Sequence, residues 1–79
     1  LMEDQRARLA RLYRWRFAQA KRKNMAVFRV LSDPELIALC RSGETTPAGL
    51  VGSGALSAEK ARRLGADIVP LMEELRETE

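Results

Sequence analysis

The sequence predicts an all-α fold, a compact five-helix bundle with a long first helix, and three observations carry that expectation. Residues 4–24 contain neither Gly nor Pro, and apolar side chains recur along them at helical spacing. Asp33-Pro34 and Thr46-Pro47 have the chemistry of helix starts: a side-chain oxygen that accepts an orphan N–H, then a proline that forfeits no hydrogen bond at the first helical position. Finally, the apolar stretch from Met25 to Leu31 is too short and solitary to form a sheet.

On the first helix Leu9, Leu12, Tyr13 and Ala20 fall on one side, the stripe that faces a core. Trp15 lies on one flank of that stripe beside Leu12, and Tyr13 and Phe17 on the other, so packing is the first expectation for all three rings. Arg11, Arg14, Ala18, Lys21 and Arg22 gather opposite. Arg16 falls near the middle of the apolar stripe. An unpaired buried charge costs several kcal/mol, so Arg16 must snorkel or find a carboxylate, either Asp33 or an acid of the last helix.

Met25 to Leu31 reads as an extended or irregular apolar strap whose Phe28, Val30 and Leu31 cover the core. The second helix runs from Pro34, capped by Asp33, to about Ser42, burying Leu36, Ile37, Leu39 and Cys40. Gly43 is its left-handed terminator. Thr46-Pro47 opens a brief third helix through Leu50 or Val51. Ser57 caps a short fourth helix, with Leu56 stapling against Ala61 and Gly65 closing it. The fifth starts near Ala66 and repeats Ile68, Leu71, Met72 and Leu75. Pro70 is tolerable there only near the first turn, where N–H groups lack intrahelical partners.

Seventy-nine residues make one domain spanning 1–79, with a core from about 9 to 75 and mobile ends. The chain opens with Leu1 and shows no leader, as expected of a piece of a longer protein. No apolar run approaches the roughly 18 residues of a membrane span, and the basic side lacks the apolar partner face of an interfacial helix, so no membrane association is expected. The single Cys40 forms no internal disulfide, which fits a reducing compartment. There is no His, no carboxylates suggest a two-metal centre, and the lone thiol reads as a small buried hydrophobe. Catalysis, metals and cofactors are therefore not expected.

Charge is distributed unevenly. The net charge is +3, yet residues 1–24 carry eight cations against Glu3 and Asp4, whereas residues 44–79 carry four cations against seven acids. A basic pole suits a polyanionic partner. Equally, a solvated helix face explains such charges without any ligand. The cations open to phosphate contact are Arg8, Arg11, Arg14, Lys21, Arg22 and Arg29 at the front, and Lys60, Arg62 and Arg63 on the fourth helix. That helix also begins at Ser57, and a helix N-terminus is a generic anion site.

The ordered pattern resembles the HRDC domain, the helicase-and-RNase-D C-terminal module. Leu12, Trp15, Arg16 and Ala20 match its first-helix pattern, Leu-x-x-Trp-Arg-x-x-x-Ala. Phe28, Val30, Leu31, Ser32 and Asp33 match the strap, Leu36 and Leu50 the next two helices, and Lys60, Leu64 and Gly65 the segment after the hairpin. Ile68 and Leu71 fall in the closing helix. Two positions depart: Glu44 stands where the family often has Pro, and Ser57 takes the last Gly position of a hairpin that elsewhere resembles a phosphate-gripping turn.

The resemblance implies an accessory nucleic-acid-binding domain, most like that of RecQ-type DNA helicases. It would be non-catalytic and monomeric in isolation, tethering single-stranded or junction DNA, or RNA, for the catalytic core of its parent. It also implies a bacterial, cytoplasmic, nucleoid-associated setting in DNA repair and recombination. The alternative is a protein-docking module of a helicase or RNase D-like exonuclease, using the acidic residues Glu73, Glu74, Glu77 and Glu79.

Overall fold

The computed structural model describes residues 3–77, as five helices and no strand among them: α1 (Glu3–Lys23), α2 (Val27–Val30), α3 (Asp33–Ser42), α4 (Pro47–Gly52) and α5 (Ala58–Glu77). The backbone divides into two units that meet at Cys40 and Arg41. Of the ends expected to be mobile, residues 1–4 and 76–79, residues 3, 4, 76 and 77 belong to α1 and α5, and residues 1, 2, 78 and 79 lie outside those described.

In the first unit α1 ends in a closed hydrogen-bonding motif. Asn24 adopts the left-handed conformation, φ 54°, and two N–H groups fold back, Asn24 to the Lys21 carbonyl at 3.3 Å and Met25 to the Ala20 carbonyl at 3.0 Å. Asn tolerates that conformation where most residues do not. The chain then reverses into α2, which corrects the expected extended strap. One helical turn turns Val27, Val30 and Leu31 (spaced i, i+3, i+4) to one side, and Val30 and Leu31 are buried. The same turn sends Phe28 outward, 67% exposed, so Phe28 does not cover the core.

The start of α3 is a reciprocal cap built by Ser32, not Asp33. The Glu35 N–H donates to Ser32 Oγ at 3.3 Å, and the Ser32 N–H donates to Glu35 Oε1 at 2.8 Å. This Ser-x-x-Glu arrangement satisfies two orphan donors at once and leaves the Asp33 carboxylate available elsewhere. Leu36, Leu39 and Cys40 are fully buried, and Cys40 Sγ lies 3.0 Å from the Gln5 carbonyl of α1. Gly43 follows α3 with φ 72°, the left-handed stop expected there.

In the second unit Thr46 caps α4 as expected, its Oγ1 accepting from the Gly49 N–H at 3.0 Å. Ser57 does the same for α5, accepting from Lys60 N–H at 3.1 Å. The largest departure is α5 itself. Gly65 does not terminate a helix and Ala66 does not begin one. Ala61, Leu64, Gly65, Ile68, Leu71, Met72 and Leu75 form one unbroken buried stripe, and the burial of that stripe outweighs the intrinsic preference of a single glycine. A Cβ at Gly65 would meet the Pro47 ring at 3.6 Å, ordinary van der Waals contact, so α4 packs on α5 at this point. The expected count of five helices is thus met with different members, because α2 is added and two predicted helices fuse.

Fusion leaves Pro70 in mid-helix, where it removes the N–H that would bond the Ala66 carbonyl and strains the preceding turn. Both residues are exposed, so no packing compensates. Pro70→Ala is expected to raise stability by about 1–2 kcal/mol, the roughly 3 kcal/mol helix penalty less the unfolded-state entropy that proline removes. Thermal melts should show a Tm higher by at least about 4 °C, whereas an unchanged or lower Tm would contradict a continuous α5.

Candidate nucleic-acid interface

Arg16 determines which side of α1 faces out. It is the buried charged residue, 7% exposed, and its Nη1 donates to both the Leu31 carbonyl and Asp33 Oδ1, each at 2.9 Å. Of the two acids weighed for it, Asp33 is the partner. The guanidinium also lies 5.0 Å from the Tyr13 ring centroid, a cation–π distance. Buried positive charge is thereby matched by a carboxylate and a carbonyl, as such a group requires.

With Arg16 held inward, α1 is rotated from the orientation expected of its apolar residues, toward the Trp15 side. Leu12 and Ala20 are buried and Trp15 half-buried, but Tyr13 is 42% and Phe17 64% exposed. The rotation carries Arg8 and Arg11 partly inward. Both are half-buried and engaged within the protein, which corrects their expected place on the outer side. Arg14, Lys21 and Arg22 are exposed. Arg22 donates to the Gln19 side chain at 2.7 Å, a contact that leaves its charge in place. Arg29 is exposed on α2, and Arg6, not among the expected contacts, is exposed on α1. Helical periodicity puts Arg6, Tyr13, Arg14, Phe17 and Lys21 on one exposed face.

Between α1 and α2 a groove of ≈ 590 Å³ is lined by Tyr13, Arg14, Arg16, Phe17 and Val27. It is apolar in its walls and carries an exposed guanidinium, Arg14, beside two rings. Packing was the expectation for Trp15, Tyr13 and Phe17 alike, and only Trp15 meets it in part. The signal for the rings that are exposed was the i, i+4 pair on the other flank of the stripe.

The second unit presents its cations differently. Lys60 is half-buried, Arg62 is exposed, and Arg63 pairs with Glu59 at 3.5 Å on the surface of α5, a contact that contributes little stability at such exposure. Arg62 stands beside a second apolar groove of ≈ 510 Å³ with Pro47, Val51 and Ala58. The hairpin joining α4 to α5 has its backbone donors committed. The N–H groups of Ser53, Gly54, Ala55 and Leu56 donate to the carbonyls of Gly49, Val51, Leu50 and Leu50 at 2.9–3.2 Å. Those amides close the end of α4, a role that competes with phosphate capture. Gly54 makes the turn possible, with φ 81°.

Among the described residues no group of three or more His, Cys, Asp or Glu converges as a metal site, and no helix is long and apolar enough to cross a membrane. The geometry defines a small all-α module with a basic, aromatic-bearing helix face. A family model for the HRDC domain matches residues 5–72, and the chain belongs to that family. HRDC domains are non-catalytic accessory domains associated with nucleic-acid enzymes, helicases and RNase D among them. Comparison with curated proteins and with solved structures gives no match.

The rotation of α1 is testable by stability alone. Phe17→Ala should change the unfolding free energy by less than about 0.5 kcal/mol, as surface substitutions do. Leu12→Ala, at a fully buried site, should cost about 2–5 kcal/mol. Urea unfolding of both variants reads the difference, and comparable losses would put Phe17 in the core.

Proposed function

We propose that this HRDC domain is an accessory nucleic-acid-binding domain of a RecQ-type DNA helicase, contacting DNA phosphates electrostatically so that substrate is tethered or oriented for a motor elsewhere in the parent protein. The observation that supports this reading is the exposure of Arg14, Lys21 and Arg22 along α1, with Arg29 exposed on α2 of the same unit. Exposed cations stay charged without cost and can displace counterions from a polyanion. Arg62 is one of the exposed cations of the second unit, with Lys60 and Arg63 as subsidiary contacts, while Arg8 and Arg11 contribute field more than direct contact.

Such binding carries little base information, because phosphate contacts position a strand without reading it. A Kd of about 10⁻⁴ to 10⁻⁶ M is the expected range for contacts of this kind. A second reading, docking onto the parent's catalytic core, draws on the exposed Glu73 and Glu77 of α5, which repel nucleic acid.

A salt titration separates the two. With about three to five phosphates contacted, log affinity for single-stranded DNA should fall against log salt with a slope of roughly −0.7 per contact. Neutralising Arg14→Gln, Lys21→Gln and Arg22→Gln together should make that slope shallower by about 2. Unchanged affinity and slope in the triple variant would remove α1 from the interface. Absence of binding at low salt would favour docking.

A further inference from the structure

Two large aromatic rings exposed side by side need an account. Tyr13 and Phe17 are four residues apart on α1, the spacing that makes helical side chains neighbours at about 5–6 Å. They wall the α1–α2 groove with Val27, and Arg14 stands beside them. Burial was available to Trp15 on the opposite flank and was not given to these two, although Phe17 is the more apolar side chain. Neither ring is an isolated surface hydrophobe. They form a paired apolar surface set among cations.

The charges around that surface narrow what can occupy it. Arg6, Arg14 and Lys21 share the exposed face with the two rings, and Glu3 stands at its N-terminal end. Arg16, which also reaches the groove, has its charge matched by Asp33 and holds the Tyr13 ring from one side. An occupant must therefore present flat apolar faces at the rings and negative charge at Arg14 and Lys21. Single-stranded nucleic acid presents both at every residue. A duplex presents only the charge, because its base faces are already stacked on each other.

We infer that Tyr13 and Phe17 are a stacking platform for bases of a single-stranded nucleic acid whose phosphates lie along Arg14 and Lys21. This deepens the proposed function and rests on it: phosphate attraction brings the strand, and the rings select unpaired bases. Aromatic stacking is tolerant of base identity, since every base has a π face, so the site favours single strands over other polyanions without reading sequence. Phe17, the more exposed of the pair, should carry the larger share.

The test uses the 79-residue chain and two labelled strands of equal length, oligothymidylate and a fully abasic strand with the same phosphates, followed by fluorescence anisotropy at low salt. Oligothymidylate should bind about tenfold tighter or more, as expected for one or two stacked bases. Phe17→Ala, and Tyr13→Ala/Phe17→Ala together, should bring its affinity down toward that of the abasic strand while the salt slope stays as in the parent chain. Equal binding of the two strands with a normal salt slope would overturn the platform and leave the phosphate reading standing. No binding of either strand would overturn both. Phe17→Ala alone keeps the test valid if loss of the Tyr13–Arg16 contact disturbs the fold of the double variant.

Discussion

The buried guanidinium of Arg16 is the constraint on which the first unit depends. A charge at this depth is tolerated only with its partners in place, and these come from two positions that are distant in sequence, the Leu31 carbonyl and the Asp33 carboxylate. One side chain thereby ties the middle of α1 to the end of α2 and the start of α3. It also fixes the rotation of α1 about its axis. That rotation decides which cations and rings of α1 meet solvent.

The partners are themselves prepared by local chemistry. Ser32 and Glu35 cap α3 reciprocally, which spares Asp33 the capping duty that its place before proline suggested. The carboxylate is 70% exposed, so it keeps much of its hydration while neutralising a buried cation. The carbonyl of Leu31 is presented because Leu31 is extended, just after the single turn of α2. Cap, turn and ion pair support one another, and the exposed face of α1 is their product. Its aromatic pair and its cations are consequences of the same geometry that hides Leu12.

Much of this was legible in the sequence, and the failures have physical causes. The helix starts at Thr46 and Ser57 and the stop at Gly43 were legible because caps and left-handed turns restrict residue type. The Arg16–Asp33 pair was legible as one of two options, because an arginine in an apolar stripe demands an acid. The rotation of α1 was not, since it is decided by tertiary contacts that helical periodicity does not encode. The single turn of α2 is too short to show a period. Gly65 and Pro70 are strong local stop signals, overridden by a buried repeat that runs from Ala61 to Leu75. The commitment of the hairpin's backbone amides to the carbonyls of α4 was not legible, because no side chain announces where a main-chain N–H folds back.

As a member of the HRDC family, the chain combines a small buried core with a cationic helix face. The outward face of α1 depends on the pairing of Arg16 with Asp33. The most direct measurement is a double-mutant cycle for stability with Arg16→Met and Asp33→Ala, each alone and combined. A coupling energy of about 1–3 kcal/mol is expected for a charge-assisted contact to a buried group. Additive effects, with coupling indistinguishable from zero, would mean that Asp33 does not hold Arg16 and that the outward face of α1 has some other origin.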